Sequence, residues 1–411
     1  MSLRPYAIWF LAMAAGLAGV PVAGRAQAVT QIGTPKILAN EVVATAQERR
    51  VAGRLAEPPL NDRANGFAWP DTPIGVVKHG DGYAFFASDG ARHSRQFWNG
   101  QWQGNNKYGS ATCTVGTLDH PLGLAAPLNV TIRPNPHGSV NPSYARYDYM
   151  GGGPVYPVPA GMTGAGKLLM VYHAELMTRP TPTTQSFYSL LGLAASADGG
   201  ASWTDLGEII RVNQSYRTDL FGFEIGDPPL AISPDGKYFC IYFQDWIANG
   251  TRKQGGSVTQ VSVARAPVAV VLEAAFGNGN PHAAAFSKFY QGKWEQAGIG
   301  GLSTDLNPQA FVSGASQVAW SSALGRYVMI VSDGVVVAYA ESPDGLNWTL
   351  PVLLKDFRND PDQPRVYVMP VGEGDDPRIL GPEFYIFYTR YPNDGTGWAG
   401  ATLKRLTVGE E

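Results

Sequence analysis

One pattern recurs five times along this chain: a short apolar strand, a turn built on Gly or Asp-Gly, and a second strand dense in aromatic and β-branched residues. The instances are DTPIGVVKHGDGYAFFAS (Asp71 to Ser88), GGPVYPVPAGMTGAGKLLMVYHAE (Gly152 to Glu175), GDPPLAISPDGKYFCIYFQDW (Gly226 to Trp246), ASQVAWSSALGRYVMIVSDG (Ala315 to Gly334) and RVYVMPVGEGDDPRILGPEFYIFYTRYP (Arg365 to Pro392). Asp-Gly between alternating apolar runs is the strongest short hairpin signal. The residues that follow supply further strands, as in SLLGLAASADGGASWTDLGEII after the second instance and VVVAYAESPDGLNWTLPVLL after the fourth. A unit of two hairpins cannot bury both faces alone, so such units stack around an axis as blades. The expected fold is therefore all-β, a five-bladed β-propeller.

Composition agrees. The 411 residues include 49 Gly and 31 Pro, with 11% aromatic against 16% charged residues, a chain rich in turns and β-formers and poor in long helical faces. Val268 to Phe276 (VAVVLEAAF) is the one segment of helical length, and its β-branched content fits a strand equally well. The N-terminal MSLRPYAIWFLAMAAGLAGVPVAGRAQA sets Arg4 before an apolar run and finishes on Ala26-Gln27-Ala28, the form of a secretory signal peptide removed after Ala28. Residues 29–65 read as an extension and 66–411 as one propeller domain. A secreted or periplasmic location follows, with no membrane association once the leader is removed.

The net charge is −3 with no Lys/Arg run, which excludes a nucleic-acid footprint or a polybasic membrane patch and favours a neutral partner. The two cysteines, Cys113 and Cys240, read either as one disulfide in an oxidising compartment or as buried small hydrophobes.

Two segments, Ser196-Ala-Asp198-Gly199-Gly200-Ala-Ser202-Trp203 and Ser342-Pro-Asp344-Gly345-Leu-Asn347-Trp348, resemble the Asp-box, S-x-D-x-G-x-[ST]-W, of sialidases and related propeller glycosidases. The second has Asn347 where Ser or Thr is usual. The Asp caps backbone N–H groups of a tight turn and the Trp folds back onto it, so Asp198 and Asp344 are read as structural. Ser233-Pro-Asp235-Gly236 lacks the Trp and reads as a plain turn.

Propeller ligands sit at one end of the central channel, where polar residues flank the repeated hairpins. Cleaving a glycosidic bond requires two carboxyl groups across the sugar, one protonated and one ionised. Asp71 begins the first hairpin and Asp89 follows its second strand. A hairpin brings those two positions together, although Asp71 also fits a plain strand start and Asp89 a Ser-Asp-Gly turn. His173 and Glu175 end the second hairpin on one strand face. Glu224 and Asp227 flank the start of the third, and Glu224, between Phe223 and Ile225, is the preferred proton donor because desolvation raises a carboxyl pKa. These positions resemble the five-bladed enzymes of glycoside hydrolase family 43: Asp71-Thr-Pro is similar to the opening that bears the base, and Glu224-Ile-Gly-Asp-Pro is a loose version of the segment that bears the acid. Asp71 and Asp89 also resemble the catalytic pair of the former unknown-function family that includes endo-D-arabinanases.

Sugar rings stack on aromatic faces while their hydroxyls need polar partners. Arg92 to Trp102 (RHSRQFWNGQW) mixes both and nominates His93, Trp98 and Trp102 for substrate binding, with Tyr149, His173, Asp227 and Arg390 beside them. No paired histidines nominate zinc, no G-x-S-x-G elbow occurs, and Gly151-Gly-Gly153-Pro154 precedes a strand, not a nucleotide-binding helix. No cofactor is expected, and an axial structural Ca²⁺ stays open. The reading is an exported glycoside hydrolase acting on a polysaccharide or oligosaccharide, of arabinan type as the resemblance implies, with Asp71 and Asp89 as the carboxylate pair and Glu175 or Glu224 assisting. Its rivals are a non-catalytic carbohydrate-binding propeller, a protein-interaction scaffold, and a sialidase-like exo-glycosidase, which would need three converging arginines.

Overall fold

The structure is a computed structural model, and it describes residues 29–45, 48, 73–88, 96–98, 101–103, 109–122, 128–133, 147, 149–178, 186–216, 225–226, 229–245, 260–277, 286–306, 316–332, 335–359, 365–390 and 400–410. The chain opens with β1 (Pro35–Ala44) and then lays down five blades. Blade one holds β2 (Gly75–His79), β3 (Gly82–Ser88), a small hairpin of β4 (Gln96–Trp98) and β5 (Gln101–Gln103), β6 (Gly109–Gly116) and β7 (Leu128–Arg133). Blade two is β8 (Tyr149–Pro157), β9 (Leu168–Thr178), β10 (Ser186–Ser196) and β11 (Trp203–Arg211). Blade three has an interrupted inner strand, β12 (Ile225–Gly226) and β13 (Leu230–Ile232), followed by β14 (Tyr238–Asp245), β15 (Gln260–Pro267), helix α1 (Val268–Phe276), β16 (Ser287–Tyr290) and β17 (Lys293–Ala297). Blade four is β18 (Ser316–Ser321), β19 (Arg326–Ser332), β20 (Val336–Ser342) and β21 (Val352–Asp356). Blade five is β22 (Arg365–Gly372), β24 (Glu383–Arg390) and β25 (Thr402–Glu410), and the short β23 (Ile379–Leu380) between β22 and β24 pairs in parallel with β18 of blade four.

The expected five-bladed propeller is what the chain forms, with one hairpin of the repeat in each blade. The segment assigned from sequence to an N-terminal extension is partly a blade strand: β1 pairs antiparallel with β25 from Pro35↔Glu410 to Ala44↔Leu403 and completes blade five. The first and last strands thus close the ring. Ile32 and Gly33 strengthen the closure by donating their backbone N–H groups to the carboxylate of fully buried Glu341 on β20, at 2.9 and 2.7 Å.

Why some strands read as unbroken apolar runs is now clear. Leu168 to Ala174 in β9 and Phe239 to Asp245 in β14 are buried throughout, because the middle of a blade has another blade on each face. Outer strands alternate, as in β17, whose residues are exposed and half-buried in turn. The apolar cores accordingly lie between blades: one large cluster joins blades one, two and three, and separate clusters fill the seams three–four, four–five and five–one. Val268–Phe276, left open by its sequence, is a helix that buries Val268, Val271, Leu272 and Ala274. Cys113 and Cys240 are both free thiols, buried in different cores, so the disulfide alternative is not taken. No helix among the described residues is long and apolar enough to cross a membrane.

The two S-x-D turns hold adjacent blades together. Asp198 accepts from Ser202 N at 2.9 Å and from the Ser196 hydroxyl at 2.8 Å, while Trp203 donates its indole N–H to Gly200 O and meets Phe86 of blade one edge-on, with ring centroids 5.7 Å apart. Asp344 accepts from Leu346 N and Asn347 N, and the Asn347 amide fills the role of the usual hydroxyl at 2.8 Å. Trp348 packs on Tyr242 of blade three. Gly200 and Gly345 have φ of +94° and +74°, and a Cβ at either would run into Phe86 or Tyr242, so these turns require glycine both for conformation and for space.

Candidate active site at one end of the propeller axis

All five inner strands contribute to a narrow axial channel, through Ile74 and Val76, Pro154, Pro229 and Leu230, Gln317 to Ala319, and Met369 to Val371. At one end the hairpin turns close it. There Arg378 pairs with Asp376 at 2.7 Å and lies over the Tyr156 ring of blade two at 4.5 Å, plugging the channel from blade five. At the other end the inner strands begin and the second strand of each blade finishes. Antiparallel register sets this level: Gly75↔Phe86, Tyr149↔Glu175, Ile225↔Asp245, Ser316↔Val331 and Arg365↔Arg390.

Polar side chains are buried at this second end. His173 is buried on β9, and its Nε2 lies 3.1 Å from Glu175 Oε1, with the Glu175 side chain 17% exposed. An ionised carboxylate only accepts, so Nε2 carries the hydrogen of that bond. Gln244 and Asp245 are buried at the end of β14, Gln317 near the start of β18, Ser332 at the end of β19 and Thr389 at the end of β24. Asp245 accepts from the Ser303 hydroxyl at 2.7 Å, and Ser303 in turn accepts from Ser262 at 3.0 Å.

Of the residues expected from sequence to form the site, the structure brings Tyr149, His173 and Glu175 together on paired strands and sets Arg390 at the corresponding level of blade five. Trp98 and Trp102 lie on the β4–β5 hairpin, which leaves blade one after β3 and flanks Asn99-Gly100. That dipeptide between aromatic residues is a hairpin signal, and it identifies as strand what reads at first as loop. Asp71, Asp89, His93, Glu224 and Asp227 lie outside the described residues; Pro73 and Ile225 are their nearest described neighbours at the starts of blades one and three. Tyr147, two residues before Tyr149, belongs to the core against Tyr172.

Sequence reasoning missed a buried charge cluster in the seam between blades two and three, just below this end. Lys288 of β16 is fully buried and donates to Arg211 O at 2.6 Å and Gly301 O at 2.9 Å. Burial pulls its ammonium down to about 8, opposed by the charge of Asp245. Across the seam, burial pushes the Glu208 carboxyl up to about 7 in spite of Arg211 at 3.1 Å and Lys288. A lysine inside a short strand carries no sequence mark distinguishing it from a surface one.

The described channel-lining residues include no carboxylate, which does not suit a calcium ion. Nor do three His, Cys, Asp or Glu side chains converge for a metal anywhere among the described residues.

No family model and no curated protein matches the chain. Among solved structures, it is similar to the catalytic domain of a glycoside hydrolase family 62 α-L-arabinofuranosidase from Coprinopsis cinerea, at 11% identity, 87% of this chain, 95% of that one and a TM-score of 0.44. An α-L-arabinofuranosidase from Podospora anserina, in complex with cellotriose, gives 12%, 86%, 96% and 0.44. A family 117 glycoside hydrolase of Zobellia galactanivorans gives 11%, 82%, 83% and 0.44. At these scores and identities no chemistry is transferred to this chain.

Proposed function

We propose that this protein is an exported glycoside hydrolase that cleaves a polysaccharide at the end of the propeller axis where the inner strands begin. Asp71 and Asp89 serve as the carboxylate pair, with Glu175 or Glu224 assisting. The observation that carries the reading is the polarity of this end: a glutamate hydrogen-bonded to a buried histidine on blade two lies at the same level as the strand starts that follow Asp71 and Glu224. Supports for the fold are spent elsewhere, in turns and seams, and do not require buried polar groups here.

Chemically, the pair acts from opposite sides of the sugar, one carboxyl protonating the leaving oxygen and one carboxylate attacking or activating water. Glu175 is held by the buried His173 at 3.1 Å, which fixes its orientation. The aromatic hairpin of Trp98 and Trp102, with His93 and Tyr149, supplies apolar faces for sugar rings, and Asp227 and Arg390 supply hydroxyl partners. Residues 1–28 direct export and leave a secreted or periplasmic enzyme.

The test is a screen of purified protein for new reducing ends on arabinan, galactan, xylan and bacterial-envelope polysaccharides, with NMR of the first-formed anomer on any substrate found. Retention of configuration corresponds to a carboxyl pair about 5–5.5 Å apart and inversion to about 6.5–9.5 Å. Retention on the polysaccharide without cleavage would replace the hydrolase with the carbohydrate-binding propeller.

A further inference from the structure

Three of the five inner strands are irregular at the same depth below the end where they begin. In blade two the β8–β9 register slips between Gly152 and Val155, around Gly153-Pro154. In blade three the register against β14 slips by one residue between Gly226↔Gln244 and Leu230↔Ile241, with Pro229 before Leu230. In blade five the β22–β24 register slips between Val366 and Met369. Breaks of this kind re-aim side chains and cluster beside functional sites.

The three breaks differ in the residue that makes them. Blades two and three use Gly and Pro, the residues suited to an irregular backbone. Blade five uses Tyr367, at φ +56°, a left-handed conformation that glycine adopts freely and an aromatic residue adopts at a cost. The other non-glycine residue with positive φ among those described is Gln291, in the two-residue turn before Gly292 that joins β16 to β17, where such a conformation is ordinary. Tyr367 instead lies inside an inner strand. Its neighbours Val366 and Arg365 pair with Thr389 and Arg390 at the open end, and Met369 to Val371 line the channel immediately below. Its side chain is half-buried. Strained backbone persists where something other than local preference demands the side chain.

We propose that Tyr367 is a sugar-binding residue: held by the blade-five bulge between the start of β22 and the channel-lining Met369, its ring stacks on the apolar face of a pyranose or furanose ring bound at this end. This rests on the proposed function only in taking the open end as the glycan site. The bulge would be cheaper with glycine, and the ring is what the strain retains.

Three substitutions separate the ring from the backbone. Tyr367→Phe keeps the ring, Tyr367→Ala removes it but keeps Cβ, and Tyr367→Gly removes both the ring and the left-handed penalty. On arabinan, Ala and Gly are expected to raise KM about tenfold with kcat little changed, and Phe to stay near wild type. The Gly variant should melt about 1–2 °C above the Ala variant. Wild-type KM in both truncated variants, or a loss in Phe equal to that in Ala, would overturn the proposal. Retardation in arabinan-containing gels reports binding apart from turnover. A wild-type protein that is retarded without cleaving, and loses retardation with Tyr367→Ala, defeats the hydrolase reading and upholds this one. Cleavage and retardation both indifferent to Tyr367→Ala do the reverse. A wild-type protein neither retarded by nor active on any polysaccharide of the screen overturns both.

Discussion

The two ends of this propeller are built by different rules. At the turn end, strands are joined by tight exposed turns such as Gly80-Asp81, Pro234 to Lys237 and Ser322 to Gly325, whose glycines take positive φ with open space around them. Asp235 shows the chemistry of this end: the Ser233 hydroxyl, the Lys237 ammonium and Lys237 N hold its carboxyl down to about 2, all within one turn. At the end where the inner strands begin, His173 inside β9 and the strand-end residues Gln244, Asp245, Ser332 and Thr389 are polar groups buried where apolar ones would pack more cheaply. The difference teaches that the turn end specifies the fold and the open end departs from what the fold needs. Substitutions at the two ends should therefore separate activity from stability.

After the loss of a member of the Asp71–Asp89 pair, the largest effect is expected from Glu224→Gln, which should lower kcat by roughly 10²–10⁴-fold with an unchanged melting temperature; a parallel fall in both would return Glu224 to a structural role. Next comes Trp203→Ala in the seam of blades one and two. Removing this fully buried indole from Phe86 should cost about 3–5 kcal/mol in denaturant unfolding, while KM measured on the remaining folded enzyme stays put.

How much of this was legible in the sequence follows from the range of the interactions. The hairpins were legible because Asp-Gly turns and apolar runs are local signals, and the Asp198 and Asp344 turns because donor and acceptor are two to four residues apart. The closure by β1 was not, since its partner β25 lies at the far end of the chain and PKILANEVVA has no turn signal to pair it. In the site, His173 and Glu175 were legible because alternate residues share a strand face. Asp245, Ser332 and Thr389 read as ordinary strand ends, Lys288 as a surface lysine, and a bulge at Tyr367 leaves no trace in residue type. Burial and backbone conformation are products of the assembled ring.

A third expectation concerns pH. Glu208 has a folded pKa of about 7 against an ordinary value of 4.5, so the folded state binds the proton more tightly and the contribution to stability is full below about 4.5 and lost as pH rises through 7. Lys288, lowered to about 8 from 10.5, acts in the other direction: its burial costs stability while it is charged, and that cost is relieved between pH 8 and 10.5. Chemical denaturation across pH 4–10 should show the fall between 4.5 and 7 disappear in Glu208→Gln. If it stays, the seam cluster is not its source. The smallest effects belong to the turns. Asp198→Ala, which releases Ser202 and loosens the seat of Trp203, should lower the melting temperature by about 1–3 °C, whereas Asp235→Ala, in a turn with no Trp, should not move it measurably. Equal shifts in the two would deny any inter-blade role to the first turn.

The separation of the two ends is tested most directly by Asp71→Asn, assayed for reducing ends on the substrate identified by screening and melted from the same preparation. Turnover reduced by at least about 10³-fold, with wild-type melting and wild-type retention on the polysaccharide, is the result expected if catalysis resides at the open end. An Asp71→Asn protein that cleaves at the wild-type rate would contradict it.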